Sequence, residues 1–329
     1  MFKVSCILMT LLLILPDNGI SQAPSGPLVH TYSIVAMDPE TGEIGAAVQS
    51  HWFSVGSLVI WAEAGVGAVA TQSFVNPAFG PEGLQLLKTG KSAREALDQL
   101  IAGDEGREFR QVAIIDARGN TAAWTGKKCI AEAGHHAEKY FSVQANLMLK
   151  NTVWNAMARA FKQTSGPLAE RLIAALEAAQ QEGGDIRGQQ SAAILVVSGK
   201  PSGKVWQDRL IDLRVEDHPH PVAELKRLLR LHRAYAHMNR GDLAVEQGDE
   251  AAALREYSAA ESLFPENLEM KYWHAVALVN MGRLPEALPL FKTIFSRDPN
   301  WKTLTPRLIP NGILNVTPEQ LQIILQVTP

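Results

Sequence analysis

The sequence predicts an α+β protein: a four-layer α-β-β-α sandwich followed by an all-α module. Three observations carry that reading. Strand patterns occur in hairpin-linked groups, which favours antiparallel sheets. Helical patterns occur in pairs between them, in the order strands, two helices, strands, two helices, strands, so each pair can cover the outer face of a sheet. Across EDHPHPVAEL, residues 216–225, the composition shifts; beyond it strand patterns vanish and a 34-residue period begins. The expected division is a signal peptide over 1–23, the sandwich over 30–220 and the helical module over 221–329.

Residues 1–23 stand apart. Lys3 precedes the apolar run CILMTLLLILP, and the small and polar residues DNGISQA follow. A basic start, a short apolar core and a small-residue exit describe a secretory signal peptide, cut within residues 19–26. The run is too short for a membrane span, which needs about 20 residues. The mature protein is therefore expected to be periplasmic or secreted. Cys6 would leave with the signal and Cys129 would remain alone, so the fold must rest on its core. A 329-residue chain, 46% hydrophobic, can supply one without staples.

TYSIVAM and EIGAAVQS flank DPETG, whose Pro, Asp and Gly are turn formers, so residues 31–50 form a hairpin. SLVIWAEA and VGAVATQSFV are the next strands, broken at Gly65. The loop NPAFGPEG opens a helical stretch; in KSAREALDQLIAG, Ser92 and Glu95 have capping-box spacing and Gly103 is a stop. A second hairpin, FRQVAIIDARGNTAAWTG, turns at Arg118-Gly119-Asn120, and YFSVQANLML follows. NTVWNAMARAFKQT and PLAERLIAALEAAQQ are helices, the second carrying Leu168, Leu172, Ile173, Leu176 and Ala179 on one face. SAAILVVS and WQDRLIDLRV close the strand set.

In the last third, Gly248 and Gly282, Ala253 and Ala287, Tyr257 and Phe291, and Pro265 and Pro299 are each 34 residues apart. That period with those residue types is the tetratricopeptide signature: small residues let paired helices approach, the aromatic packs between them, and proline ends the unit. VAELKRLLRLHRAYAHM is expected to cap one end of the two repeats and TPEQLQIILQ the other. The expected partner is a protein or peptide held by the repeats, with a homo-oligomer left open. A net charge of -3 gives no electrostatic case for nucleic acid or an anionic lipid surface, and no membrane span is expected.

The chain has no H-E-x-x-H, C-x-x-C, P-loop or G-x-S-x-G, so no metal and no cofactor is expected. His135-His136 reads as a loop pair, because adjacent histidines do not share a helix face. Cys129 has Lys127, Lys128, His135 and His136 close in sequence, yet buried free cysteines are common. Thr31 is a more pointed candidate. At a chain terminus a threonine carries its own base, an α-amine with a pKa of about 8 that can accept the hydroxyl proton. TYSIVAM supplies a rigid strand, and the hairpin brings Gln49, Ser50 and His51 back level with Thr31. The plain alternative is that threonine is a good strand former.

HTYSIVAMDPETGEIGAAVQSHWFSVGSLVIWAEAGVGAVATQSFVNPAFGPEGLQLL, YFSVQANLM and GGDIRGQQSAAILVV resemble the bacterial and archaeal family catalogued as domain of unknown function 1028, over residues 30 to about 230. That family is similar to the N-terminal nucleophile (Ntn) hydrolases. The resemblance implies an Ntn-hydrolase-like sandwich and, as nucleophile, the first residue of the first strand exposed by cleavage, which is Thr31. It brings no substrate. The proteasome-type branch pairs its threonine with a lysine from an early strand, whereas here no Lys or Arg occurs between Lys3 and Lys88. Amidase-like branches use the α-amine with polar side chains, for which Gln49, His51, Gln72, Asn76, Gln144, Asn146 and Ser191 are candidates, each also a plausible internal hydrogen-bond partner. Asp185 and Arg187 could hold a polar substrate's charges, or could pin their own loop. The expected function is an exported Ntn-type amidohydrolase; the alternative is a non-catalytic periplasmic binding or scaffold protein acting through its repeats.

Overall fold

The computed structural model describes residues 27–327, so the expected signal peptide over 1–23 lies outside the described residues. Two hydrophobic faces on each sheet build the first domain. After β1 (Leu28–Val29), the hairpin of β2 (Thr31–Met37) and β3 (Ile44–Ser50) turns where the Asp38 carboxylate accepts the N–H groups of Glu40 and Thr41 and Gly42 adopts φ 75°. Its register sets Thr31 opposite Ser50 and Tyr32 opposite Gln49. β4 (Ile60–Glu63) and β5 (Gly67–Phe74) follow, then α1 (Phe79–Lys88) and α2 (Ala93–Ala102), whose Ser92–Glu95 capping box is formed. Next come β6 (Arg110–Asp116), β7 (Thr121–Thr125), β8 (Gly134–Glu138) and β9 (Phe141–Ala145). The helices α3 (Val153–Gln163) and α4 (Leu168–Gln181) precede β10 (Ser191–Val197), the short α5 (Val205–Asp208) and β11 (Arg209–Val215).

All strand pairs are antiparallel. One sheet runs β1-β5-β6-β7, with β4 also on β5; the other runs β11-β10-β3-β2-β9-β8. Because side chains alternate across a strand, Val35, Ala46 and Val48 meet Ala68, Ala70, Ala113 and Ile115 in a core between the sheets. On the opposite faces, Tyr32, Ile34 and Ala47 pack under α3 and α4, including the predicted Leu168, Leu172, Ile173, Leu176 and Ala179. Val69, Val112 and Ile114 pack under α1 and α2. His135 and His136 are not in a loop. They form β8 at the sheet edge, paired with Gln144 and Val143, and an edge strand without apolar alternation leaves no pattern to read.

The helical region contains α6 (Pro221–Glu246), α7 (Glu250–Leu263), α8 (Leu268–Asn280), α9 (Leu284–Arg297), α10 (Asn300–Leu304) and α11 (Pro318–Gln326). The paired repeat positions are equivalent in structure. Gly248 and Gly282 end helices at φ 72° and 75°, and Ala253, Ala287, Tyr257 and Phe291 are all buried. Gly241 lies beneath the Tyr257 ring, where an added Cβ would come within 2.8 Å of it, so glycine sets the α6–α7 approach.

The expected end cap is instead one long helix with two allegiances. Val222, Leu225 and Leu229 of α6 complete the core beside α4, with Lys226 paired to Glu177 and Arg233 to Glu170. Ala234, Met238 and Ala244 pack with α7 to form the first repeat. A chain ending at residue 220 is therefore expected to melt below one ending at residue 248, since Val222, Leu225 and Leu229 each contribute about 1.5–3 kcal/mol when buried. Differential scanning calorimetry of the two truncations checks this; equal melting would mean that α6 adds nothing to the sandwich. For the same reason a protease-stable core is expected to end beyond Glu246, not near residue 230.

Candidate active site at the start of strand β2

β1 belongs to one sheet and β2 to the other, so the chain crosses between sheets at His30. A residue at such a crossing has its carbonyl outside the sheet ladders, and side chains fill the role. The His30 carbonyl accepts from Ser50 Oγ at 2.5 Å and from Arg187 Nη2 at 2.9 Å. The next carbonyl, that of Thr31, accepts from the Asn146 N–H at 3.1 Å and from Gln72 Nε2 at 3.1 Å. Thr31 itself is fully buried, its Oγ1 donating to the Val29 carbonyl at 2.9 Å.

Arg187 is held in place by Asp185. Its Nε and Nη2 lie 3.0 and 2.7 Å from the two carboxylate oxygens, a bidentate geometry that fixes the guanidinium plane. The Asp185 carboxylate has no exposed surface and also accepts the N–H groups of Arg187 and His51. The two residues pin their own loop, and the pinned cation reaches the carbonyl before Thr31.

Beneath Thr31 lies a chain of amides between the sheets. Gln144 Nε2 donates to Ser33 Oγ, which donates to Gln72 Oε1, each at 2.6 Å. Gln72 Nε2 donates to Gln111 Oε1 at 2.6 Å, and Asn146 Nδ2 donates to the same oxygen at 2.9 Å. Gln111 Nε2 in turn donates to Thr125 Oγ1 and to the carbonyls of Gly134 and Ala145. Such a network fixes the backbone around Thr31.

The network also assigns the His30 tautomer. Asn146 Nδ2 is engaged as a donor, so Asn146 Oδ1 is the acceptor, and His30 Nδ1 at 2.8 Å must carry the proton. Nε2 then holds a lone pair. Burial is the largest influence on this ring and lowers its pKa; the Asn146 bond opposes it, and the nearby Arg187 charge lowers it further. The folded state thus favours neutral His30. Its contribution to stability is present above 6.5 and is lost as pH falls through the lower folded value. An NMR titration is expected to give His30 a midpoint below 6.5; a midpoint above it would mean that the Asn146 bond, with Asp185, outweighs burial at the ring.

Of the residues singled out from the sequence, Thr31, Gln72, Gln144, Asn146, Asp185 and Arg187 come together, and His51 joins through its backbone N–H while its side chain is exposed. Three do not. Gln49 pairs with Tyr32 and shares its helix-facing side, opposite to Thr31, where its amide atoms have no partner among the described residues. Asn76 caps the turn into α1 by accepting the Ala78 N–H. Ser191 donates to the Trp52 carbonyl and accepts the Val55 N–H. His30, Ser33 and Gln111 are site residues the sequence reading missed, while Ser50 stands level with Thr31 as the hairpin register predicts. Gln111 is a lone amide in an apolar strand like Gln72. The Cys129 thiol donates to the Arg110 carbonyl at 3.3 Å, and burial pushes its pKa up, which works against a thiolate nucleophile.

A two-sheet α+β domain with a buried amide network under its first long strand, joined to a tetratricopeptide region, defines the class of this protein. A family model described as a family of unknown function, DUF1028, matches residues 31–225, and a tetratricopeptide repeat model matches residues 244–305. The chain belongs to the DUF1028 family. Among solved structures it is similar to protein SPO2555 from Silicibacter pomeroyi, assigned to the same family. Identity is 33% and the TM-score 0.55, over 61% of this chain and 88% of that one. No curated protein matches the chain. The repeat match suggests interaction with other proteins, and no helix among the described residues is long and apolar enough to cross a membrane.

Proposed function

We propose that the first domain is an Ntn-type amide hydrolase whose nucleophile is Thr31, exposed by scission of the His30–Thr31 bond, and that the repeats dock a protein or peptide. The observation that carries this reading is the double grip on the His30 carbonyl by Ser50 Oγ and Arg187 Nη2. Donors aimed at a carbonyl polarise it and stabilise the oxyanion that attack would form. The amide so held is the one that masks the Thr31 amine. In the scission, Thr31 Oγ1 attacks the His30 carbonyl carbon and the C–N bond breaks. The hydroxyl proton ends on the Thr31 nitrogen, and water then hydrolyses the ester to a carboxylate and a free hydroxyl. The start of the family match at residue 31 further supports this boundary. Export to the periplasm or cell exterior is part of the proposal and rests on the pattern of residues 1–23.

The second reading, a non-catalytic binding or scaffold protein, is favoured by one observation: with residues 27–30 in place, Thr31 has no exposed surface and its hydroxyl is engaged. Intact-mass measurement of the exported protein separates the two. A species beginning at Thr31 is expected. Only species that begin upstream of His30 would leave the threonine amine blocked and the binding reading in force.

A further inference from the structure

We infer, building on the reading of Thr31 as a freed nucleophile, that the substrate is a peptide bound as an extended strand along β5, with a small apolar residue and then histidine on the acyl side of the cut bond. β1 and β4 share one edge of β5: β4 covers Gly67–Ala70, and β1 covers Ser73 and Phe74. Departure of residues 27–30 uncovers the Ser73–Phe74 stretch, and an uncovered edge is a template for an added strand. Ser73, the strand partner of Val29, is held at φ 73°, a costly conformation for a residue other than glycine that persists where function constrains the backbone.

The argument from chemistry is that one oxygen forms both esters. Thr31 Oγ1 takes the His30 acyl group in the scission and the substrate acyl group in turnover, with the leaving amine taking the hydroxyl proton and water releasing the acid. Both carbonyls must therefore meet Ser50 and Arg187, and the groups that hold residues 28–30 become the groups that the substrate meets. His30 sits edge-on to Phe74, with ring centroids 6.0 Å apart at 87°, and donates to Asn146 Oδ1. That subsite accepts a flat ring bearing a hydrogen-bond donor. It disfavours a carboxylate, which would meet an acceptor oxygen. Val29 is fully buried in the core between the sheets, so the preceding subsite is small and apolar, whereas Leu28 is 42% exposed and its subsite is tolerant.

The test uses the exported full chain, with its first residue read by intact mass and Thr31 labelled by a β-lactone probe in parallel. It is offered the aminocoumarin amides acetyl-Leu-Val-X, with X as His, Phe, Ala or Asp. The His peptide is expected to exceed the Ala peptide about tenfold or more in kcat/KM, because a site built to pair a donor rejects the analogue lacking it. The Asp peptide is expected to be the poorest, and Phe74→Ala is expected to shrink the His-to-Ala ratio. Labelled Thr31 with equal cleavage of all four, or with none, would overturn the substrate assignment and leave the nucleophile standing. A chain that keeps residue 30 and takes no label would overturn both.

Discussion

Replacing Thr31 with alanine is expected to abolish covalent labelling by a β-lactone probe and to leave the His30–Thr31 bond intact. The variant keeps the carbonyl grip of Ser50 and Arg187, the Asp185 clamp and the amide network, but has no oxygen to acylate. Donors that stabilise an oxyanion cannot supply the atom that forms the ester. Relative to an uncleaved parent, the stability cost is small. One hydrogen bond to the Val29 carbonyl and one buried methyl are lost, together about 1–2 kcal/mol. Intact-mass spectrometry and a thermal melt read both quantities on one sample. Equal labelling of variant and parent would place the nucleophile elsewhere. Cys129 would be the next residue to change, although its raised pKa disfavours the thiolate.

Gln111→Leu is expected to cost about 3 kcal/mol or more, because several buried polar groups each lose a hydrogen-bond partner at once. Gln72 Nε2 and Asn146 Nδ2 lose their shared acceptor, and the carbonyls of Gly134 and Ala145 lose a donor. Gln49→Leu is the matched control with the opposite expectation. That amide is equally buried but has no partner among the described residues, so the same change is expected to be neutral or stabilising by about 1 kcal/mol. Urea unfolding of the pair decides the matter. Similar losses for both would mean that the network carries no special share of the stability.

The two cases also show why the site was only partly legible in the sequence. A lone amide in an apolar strand is visible, and Gln49, Gln72 and Gln144 stood out for that reason. Which of them meet is decided by sheet stacking and strand parity, and their partners lie far along the chain: Asn146 reaches His30 across 116 positions. Hairpin register was readable because DPETG leaves few ways to turn, which is how Ser50 came level with Thr31. β1 was not readable, since a two-residue strand that changes sheets has no periodicity to display. The composition shift across EDHPHPVAEL places a domain boundary between residues 220 and 221. Yet Pro221 occupies the first turn of α6, a position where proline's missing N–H costs nothing, so the same residues start a helix.

That helix has a geometric consequence for anything the repeats hold. A flexible tether would let a docked molecule sample many distances and angles relative to the sandwich. α6 instead acts as a fixed strut of 26 residues, about 39 Å long, clamped at one end by the sandwich core and at the other by the first repeat. Anything held on the repeats is thus presented to the sandwich at one bearing. A single residue inserted between Arg233 and Ala234 would swing that bearing by about 100°.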